Sequence, residues 1–317
     1  MPSQLAPIAL FVYRRPERAE RLLASLSANA EAKLSDLVIY SDGAKSPEAE
    51  LDVKKMRELV RGVTGFGSVT VVERERNLGL ANSITDGVSA LCGRHGRAIV
   101  LEEDLVVSPH FLGYMNDALA RYKDEERVMQ VSGHLFPLEL TGDEDAVFLP
   151  LTTSWGWATW ARAWRKFDGD AKGYEALKND KALRLEFDCG GGAPYFGMLR
   201  DQLNGRVDSW AIKWYLSVFL ARGLVLYPRK TMVLHEGWDE KATHAKQHGG
   251  DVPDRLDPTF SVKSFPPPHM AAENVAAVSG FFAKRSERAK VECRVARSGA
   301  ALINRFKGIA AGFRRQP

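Results

Sequence analysis

A chain of 317 residues with 45% hydrophobic and 26% charged side chains has material for one large or two ordinary domains, and disorder throughout is excluded. No run of eighteen uncharged apolar residues occurs, and the first charges follow the opening apolar stretch, so neither a membrane span nor an export signal is read. The net charge of +4 conceals a tail over residues 284–317 with ten Lys and Arg against two Glu, on a body that is slightly acidic, which argues against a nucleic-acid-binding body.

Cys92, Cys189 and Cys293 are odd in number and scattered, as free thiols in a reducing compartment would be, so a cytoplasmic location is expected. Residues 8–13, IALFVY, read as a buried strand ending in Tyr13, Arg14 and Arg15, and Pro16 opens a helix with its stripe at Leu22, Leu23 and Leu26. Residues 36–42 form a second strand ending at Asp42. Ser46-Pro47 then starts a helix carrying Val53, Met56, Leu59 and Val60. A third strand over 69–74 leads through a turn at Asn77 and Gly79 into a helix with Leu80, Ile84, Val88 and Leu91 on one side.

The fourth strand, AIVLEED, ends in Glu102, Glu103 and Asp104, with Ser108-Pro109 placed to start the next helix. Apolar residues resume at Leu105, so three unpaired carboxylates would be costly there, and a hard divalent cation, Mn2+ or Mg2+, resolves the cost. Four strands alternating with four helices predict an α/β fold: a mostly parallel sheet flanked by helices, whose ligand edge collects the four strand ends. No GxGxxG or GxxxxGK[ST] motif supports a dinucleotide site or a P-loop.

The second half is less regular. Trp157, Trp160 and Trp164 are spaced as the buried stripe of a helix, whereas Trp155, before Gly156, falls outside the stripe and is a candidate wall for a sugar. The three glycines 190–192 predict a mobile loop. Asp208 precedes a strongly apolar helix, where an N-cap and a general base are compatible roles. Residues 224–235 read as one strand returning to the sheet and ending at His235, a candidate metal ligand, with His244 and His248 beyond. In the tail, Leu302, Ile303, Phe306, Ile309 and Phe313 share a helical arc flanked by Arg and Lys. A helix lying on an anionic membrane and one packed on the body both fit.

The acidic triplet before Ser108-Pro109, the Ser-Asp-Gly at 41–43, the Asn-Leu-Gly-Leu at 77–80 and SWGWATW at 154–160 together resemble GT-A (Rossmann-like) fold glycosyltransferases. The likeness is to the inverting group that includes N-acetylglucosaminyltransferase I and bacterial polysaccharide glycosyltransferases, and it runs from Ile8 to His244. The resemblance implies a nucleotide-sugar donor, UDP-linked, and a glycan or lipid-linked glycan as acceptor. It implies metal on Asp104, donor contacts from Arg14 or Arg15, Asp42, Asn77 and Leu80 with Glu102 and Glu103 beside them, an acceptor side at Trp155, Gly156 and Trp157, and Asp208 as base. The expected division is a donor half over 1–110, an acceptor and catalytic half of the same domain over 111–283, and the basic amphipathic tail over 284–317. Rival readings are a sugar-1-phosphate nucleotidyltransferase and a non-catalytic carbohydrate-binding protein.

Overall fold

Over the first hundred residues every apolar run becomes a strand, because a helix with a single apolar stripe follows each one and covers a face of the sheet. The computed structural model describes residues 5–236 and 255–287. Strands β1 (Ile8–Val12), β2 (Asp36–Ser41), β3 (Ser68–Glu73) and β4 (Arg97–Glu102) alternate with helices α1 (Pro16–Ser27), α2 (Glu50–Arg61) and α3 (Leu80–His95). Pro16 begins α1, which buries Ala19, Leu22, Leu23 and Leu26, and α2 buries Val53, Met56 and Val60. After β4 the chain turns at Glu103 and Asp104, forms the short β5 (Leu105–Val107) and enters α4 (Phe111–Arg121). That helix starts later than Pro109: the Ser108 carbonyl accepts the Phe111 N–H in a preceding turn, and His110 takes the cap position.

Strands β6 (Val128–Ser132), β7 (Ala146–Leu149), β8 (Trp157–Trp160) and β9 (Leu224–Pro228) join the first four in one eight-stranded sheet of order β3-β2-β1-β4-β8-β6-β9-β7. Between β8 and β9 lie α5 (Ala161–Trp164), α6 (Tyr174–Asn179), α7 (Lys181–Phe187), α8 (Tyr195–Leu203) and α9 (Trp210–Leu220), and residues 272–287, where the described residues stop, are helical (α10). β3, β2, β1 and β4 are mutually parallel, as are β6 and β9, whereas β8 runs antiparallel to both its neighbours and β7 runs antiparallel to β9. The fold class is therefore α/β with a mostly parallel sheet flanked by helices, as expected. Strand side chains alternate between two cores: Ile8, Leu10 and Val12 face α1, α2 and α4, while Ala9 and Phe11 face α3 and α9.

Three expectations change. Trp157 and Trp160 lie on β8, not on a helix, and point to opposite cores, Trp157 to the α3 and α9 side and Trp160 to the α4 side. A strand buried on both faces loses its polar alternation, and the Trp spacing then imitates a helix. Residues 224–235 divide into β9 and a separate β10 (Val233–His235), which pairs antiparallel with β5 in a second, two-stranded sheet. The glycines 190–192 form a close approach and not a loose loop: a Cβ on Gly192 would overlap the backbone of Phe282 and Ala283 in α10. His244, His248 and residues 288–317 of the tail lie outside the described residues. Among those described, no helix is long and apolar enough to cross a membrane, and Cys92 and Cys189 are buried free thiols.

Candidate active site

From β1 the chain passes to β2 on one side, and β4 later pairs on the other, so connections diverge at the carboxyl ends of β1 and β4. Open α/β sheets bind ligands at such a switch point. A cleft of about 220 Å3 opens there. Its lining includes Tyr13, Arg14, Arg15, Asp42, Asn77, Leu80, Glu102, Glu103 and Asp208, gathered from the ends of β1, β2 and β4, the loop before α3 and the loop before α9.

Arg15 organises the acids. Its Nε donates to Glu103 Oε1 at 3.1 Å and its Nη2 to Asp104 Oδ2 at 2.8 Å, while the buried Nη1 has no partner among the described residues. His235 reaches the same acids because β10 pairs with β5 in a register that sets His235 opposite Leu105, and the Glu236 N–H donates to the Asp104 carbonyl. His235 Nε2 then lies 3.5 Å from Asp104 Oδ2. Burial pushes the Asp104 carboxyl up, but the His235 ring and the Arg15 guanidinium together outweigh it and hold the group at about 2. Burial, then the Asp104 charge, raises Glu103 to about 7 despite Arg15, and burial with both neighbouring acids raises Glu102 as well. The site thus contains one firmly ionised carboxylate and two that burial, and after it the neighbouring acids, hold back from ionising beside the Arg15 guanidinium.

A divalent cation fits this arrangement. Among the described residues no group of three or more His, Cys, Asp and Glu side chains is arranged to hold a metal ion by itself. Mg2+ at phosphate sites takes one or two carboxylates, with the remaining positions filled by substrate phosphates and water. Asp104 and His235 suit that shared kind of site, in which the ligand set is completed by an anionic substrate.

Asp42 lines the cleft and also ties down the loop beside it. It is 7% exposed, and its carboxylate accepts backbone N–H groups from Gly43 at 2.9 Å, Leu78 at 2.8 Å and Gly79 at 3.0 Å. Asn77 adds a bond from its side-chain amide to the Gly43 carbonyl at 2.8 Å. Gly43 is required at that point, since a Cβ would overlap the backbone of Arg76. The loop before α3 is therefore bound to the end of β2.

On the other side of Asp104, Trp155 is half-buried and stacks on His235 with ring centroids 4.8 Å apart, its edge meeting His134. Gly156 has φ +65°, and a Cβ there would lie 2.8 Å from Val233 Cγ2, so a glycine lets β10 approach. Trp157, by contrast, is fully buried and stacks on Trp210, which places it in the core. Asp208 is exposed at the cleft and is not the N-cap of α9; Ser209 holds that position. Sequence reasoning did not single out Phe11, Tyr40, Lys45 or Ser83, which also line the cleft. Lys45, two residues after Asp42-Gly43, is the one with a readable signal.

No protein-family model matches the chain, and none of the curated proteins compared with it matches. Among solved structures it is similar to the mannosyltransferase PcManGT from Pyrobaculum calidifontis in complex with GDP-Man and Mn2+, at 12% identity over 70% of this chain and 77% of that one, with a TM-score of 0.35. A likeness that remote says nothing of what this chain binds, and the functional reading rests on the cleft.

Proposed function

We propose that the chain is a metal-dependent glycosyltransferase that moves a sugar from a nucleotide-sugar donor, UDP-linked, to a hydroxyl of a glycan or lipid-linked glycan, with inversion. The observation that carries this reading is a switch-point cleft in which Arg15 keeps a buried donor unspent beside an ionised Asp104 and a facing His235. Asp104 and His235 would hold Mn2+ or Mg2+, which supplies electrostatic stabilisation to the departing diphosphate. Arg15 Nη1 is available to an anionic oxygen without breaking either of its ion pairs, so positive charge is preorganised where the leaving group gathers negative charge. Arg14, also in the lining, adds a second cation.

Asp208, exposed at the mouth, is assigned the acceptor's proton. One face of Trp155 is covered by His235, and the remaining indole surface is the proposed acceptor wall. The site resembles the N-acetylglucosaminyltransferase I-like group in its order of motifs, and membership of that group is part of the proposal. A location on the cytoplasmic face of a membrane, held by the basic tail, is proposed with it.

The test is a panel of nucleotide sugars with and without Mn2+, read by thermal shift and by slow donor hydrolysis. One donor should raise the melting temperature by several degrees in a Mn2+-dependent way and release its sugar. A panel without any shift or hydrolysis would refute the reading.

A further inference from the structure

We propose that the Ser83 hydroxyl reads the edge of the donor's nucleobase, and that Asp42 is the positioning residue that holds α3 so that it can. This rests on the nucleotide-sugar reading above. Ser83 lies in the first turn of α3, is 5% exposed and lines the cleft, yet its Oγ has no partner among the described residues. Other helical hydroxyls behave differently: Ser25, Ser27, Thr85, Ser217 and Ser279 turn back to a carbonyl three or four residues earlier, and Ser89 accepts from Trp164. An unpaired buried hydroxyl costs its desolvation, so its persistence at a cleft wall points to a partner that arrives with the ligand.

The surroundings select the kind of partner. One turn further along α3, a Cβ at Gly87 would fall 2.7 Å from the Phe11 ring and 2.9 Å from that of Tyr40, and those two rings stack with centroids 5.0 Å apart. Residues four apart share a helix face, so Ser83 sits over the same aromatic floor, one turn nearer the opening. Leu80 completes a largely apolar slot in which the Tyr40 hydroxyl is already bonded to the Gly87 carbonyl and the Ser83 hydroxyl is not partnered among the described residues. The Asp42 carboxylate already occupies the N–H groups of Leu78 and Gly79 at the start of α3, and its charge there opposes a second anion. The slot therefore suits a flat, uncharged group with a polar edge, and the diphosphate belongs at the Arg15 end.

The experiment uses the full chain with Mn2+ and the diphosphates of uridine, guanosine, adenosine and cytidine, plus inorganic pyrophosphate, measured by calorimetry. The wild type should prefer one base at least about tenfold; Ser83→Ala should lose about tenfold for that base, bring the panel within about threefold and leave pyrophosphate binding unchanged. Asp42→Asn should raise the donor KM in the hydrolysis assay while kcat changes less than about threefold and the base preference keeps its order. Unaltered affinity and preference in Ser83→Ala would overturn the inference, the hydroxyl then being served by water, and leave the glycosyltransferase reading standing. Loss of base preference in Asp42→Asn but not in Ser83→Ala would reverse the two assignments and overturn it as well. A wild type that binds no nucleoside diphosphate refutes both readings.

Discussion

Arg15 holds two carboxylates and keeps one nitrogen over, and from that single side chain much of the site's electrostatics follows. Its planar fork makes the arrangement possible, because a lysine ammonium at the same place could not span Glu103 and Asp104 and still present a donor in a fixed direction. Asp208 and Asp104 are assigned separable parts, so their variants should part company. Asp208→Asn is expected to lower turnover by about 10²- to 10⁴-fold with donor affinity within about twofold of wild type. Asp104→Asn should abolish the Mn2+ dependence of donor binding. Single-turnover assays and calorimetry check the pair, and normal turnover in Asp208→Asn would remove it from the chemistry.

At the scale of elements, the order of strands and helices through α3 was legible because each apolar run ends in a turn residue and each helix has one stripe. The triplet at the end of β4 was legible for the same reason: charge interrupting an apolar run is visible without a structure. What could not be read were elements defined by distant partners. Nothing local distinguishes Trp-Ala-Thr-Trp in a doubly covered strand from a helical stripe, and β10 exists only because β5 is there to pair with it. The role of Asp42 was hidden likewise, since its partners lie 36 and 37 residues away. Gly156 belongs to this scale because it lets β10 dock beside Trp155. Gly156→Ala should cost about 2 kcal/mol in denaturant unfolding, from a left-handed backbone and the contact with Val233. A cost under about 0.5 kcal/mol would show that the docking tolerates a shift.

For the whole molecule, pH should act on stability through His134, which is fully buried between Phe136, Trp155 and the Val233 carbonyl. Burial pushes its pKa down to about 4, below the ordinary value of about 6.5. The unfolded chain therefore binds a proton that the folded one refuses between those values. The contribution is complete above about pH 6.5, is lost as pH falls toward 4, and does not change further below that. Between pH 7 and pH 5 the loss should be about 2 kcal/mol. Urea titrations of the wild type and His134→Asn at both values test this: the variant is less stable at neutral pH but should lose less on acidification, and equal losses would contradict it. The tail makes a separate prediction, that full-length chain sediments with anionic vesicles and chain ending at residue 283 does not. Equal sedimentation would place the attachment elsewhere.

β8 runs against β4, with Trp157 opposite Val100 and Trp160 opposite Arg97. That direction delivers the residues preceding β8, Trp155 and Gly156, to the same edge at which Glu102 emerges. On the proposed function, the two substrates then meet across one ladder of main-chain hydrogen bonds, with no hinge between their platforms. Alignment of the reactants becomes a property of the backbone, so the side chains that select the acceptor are free to diverge without putting the reacting atoms out of line.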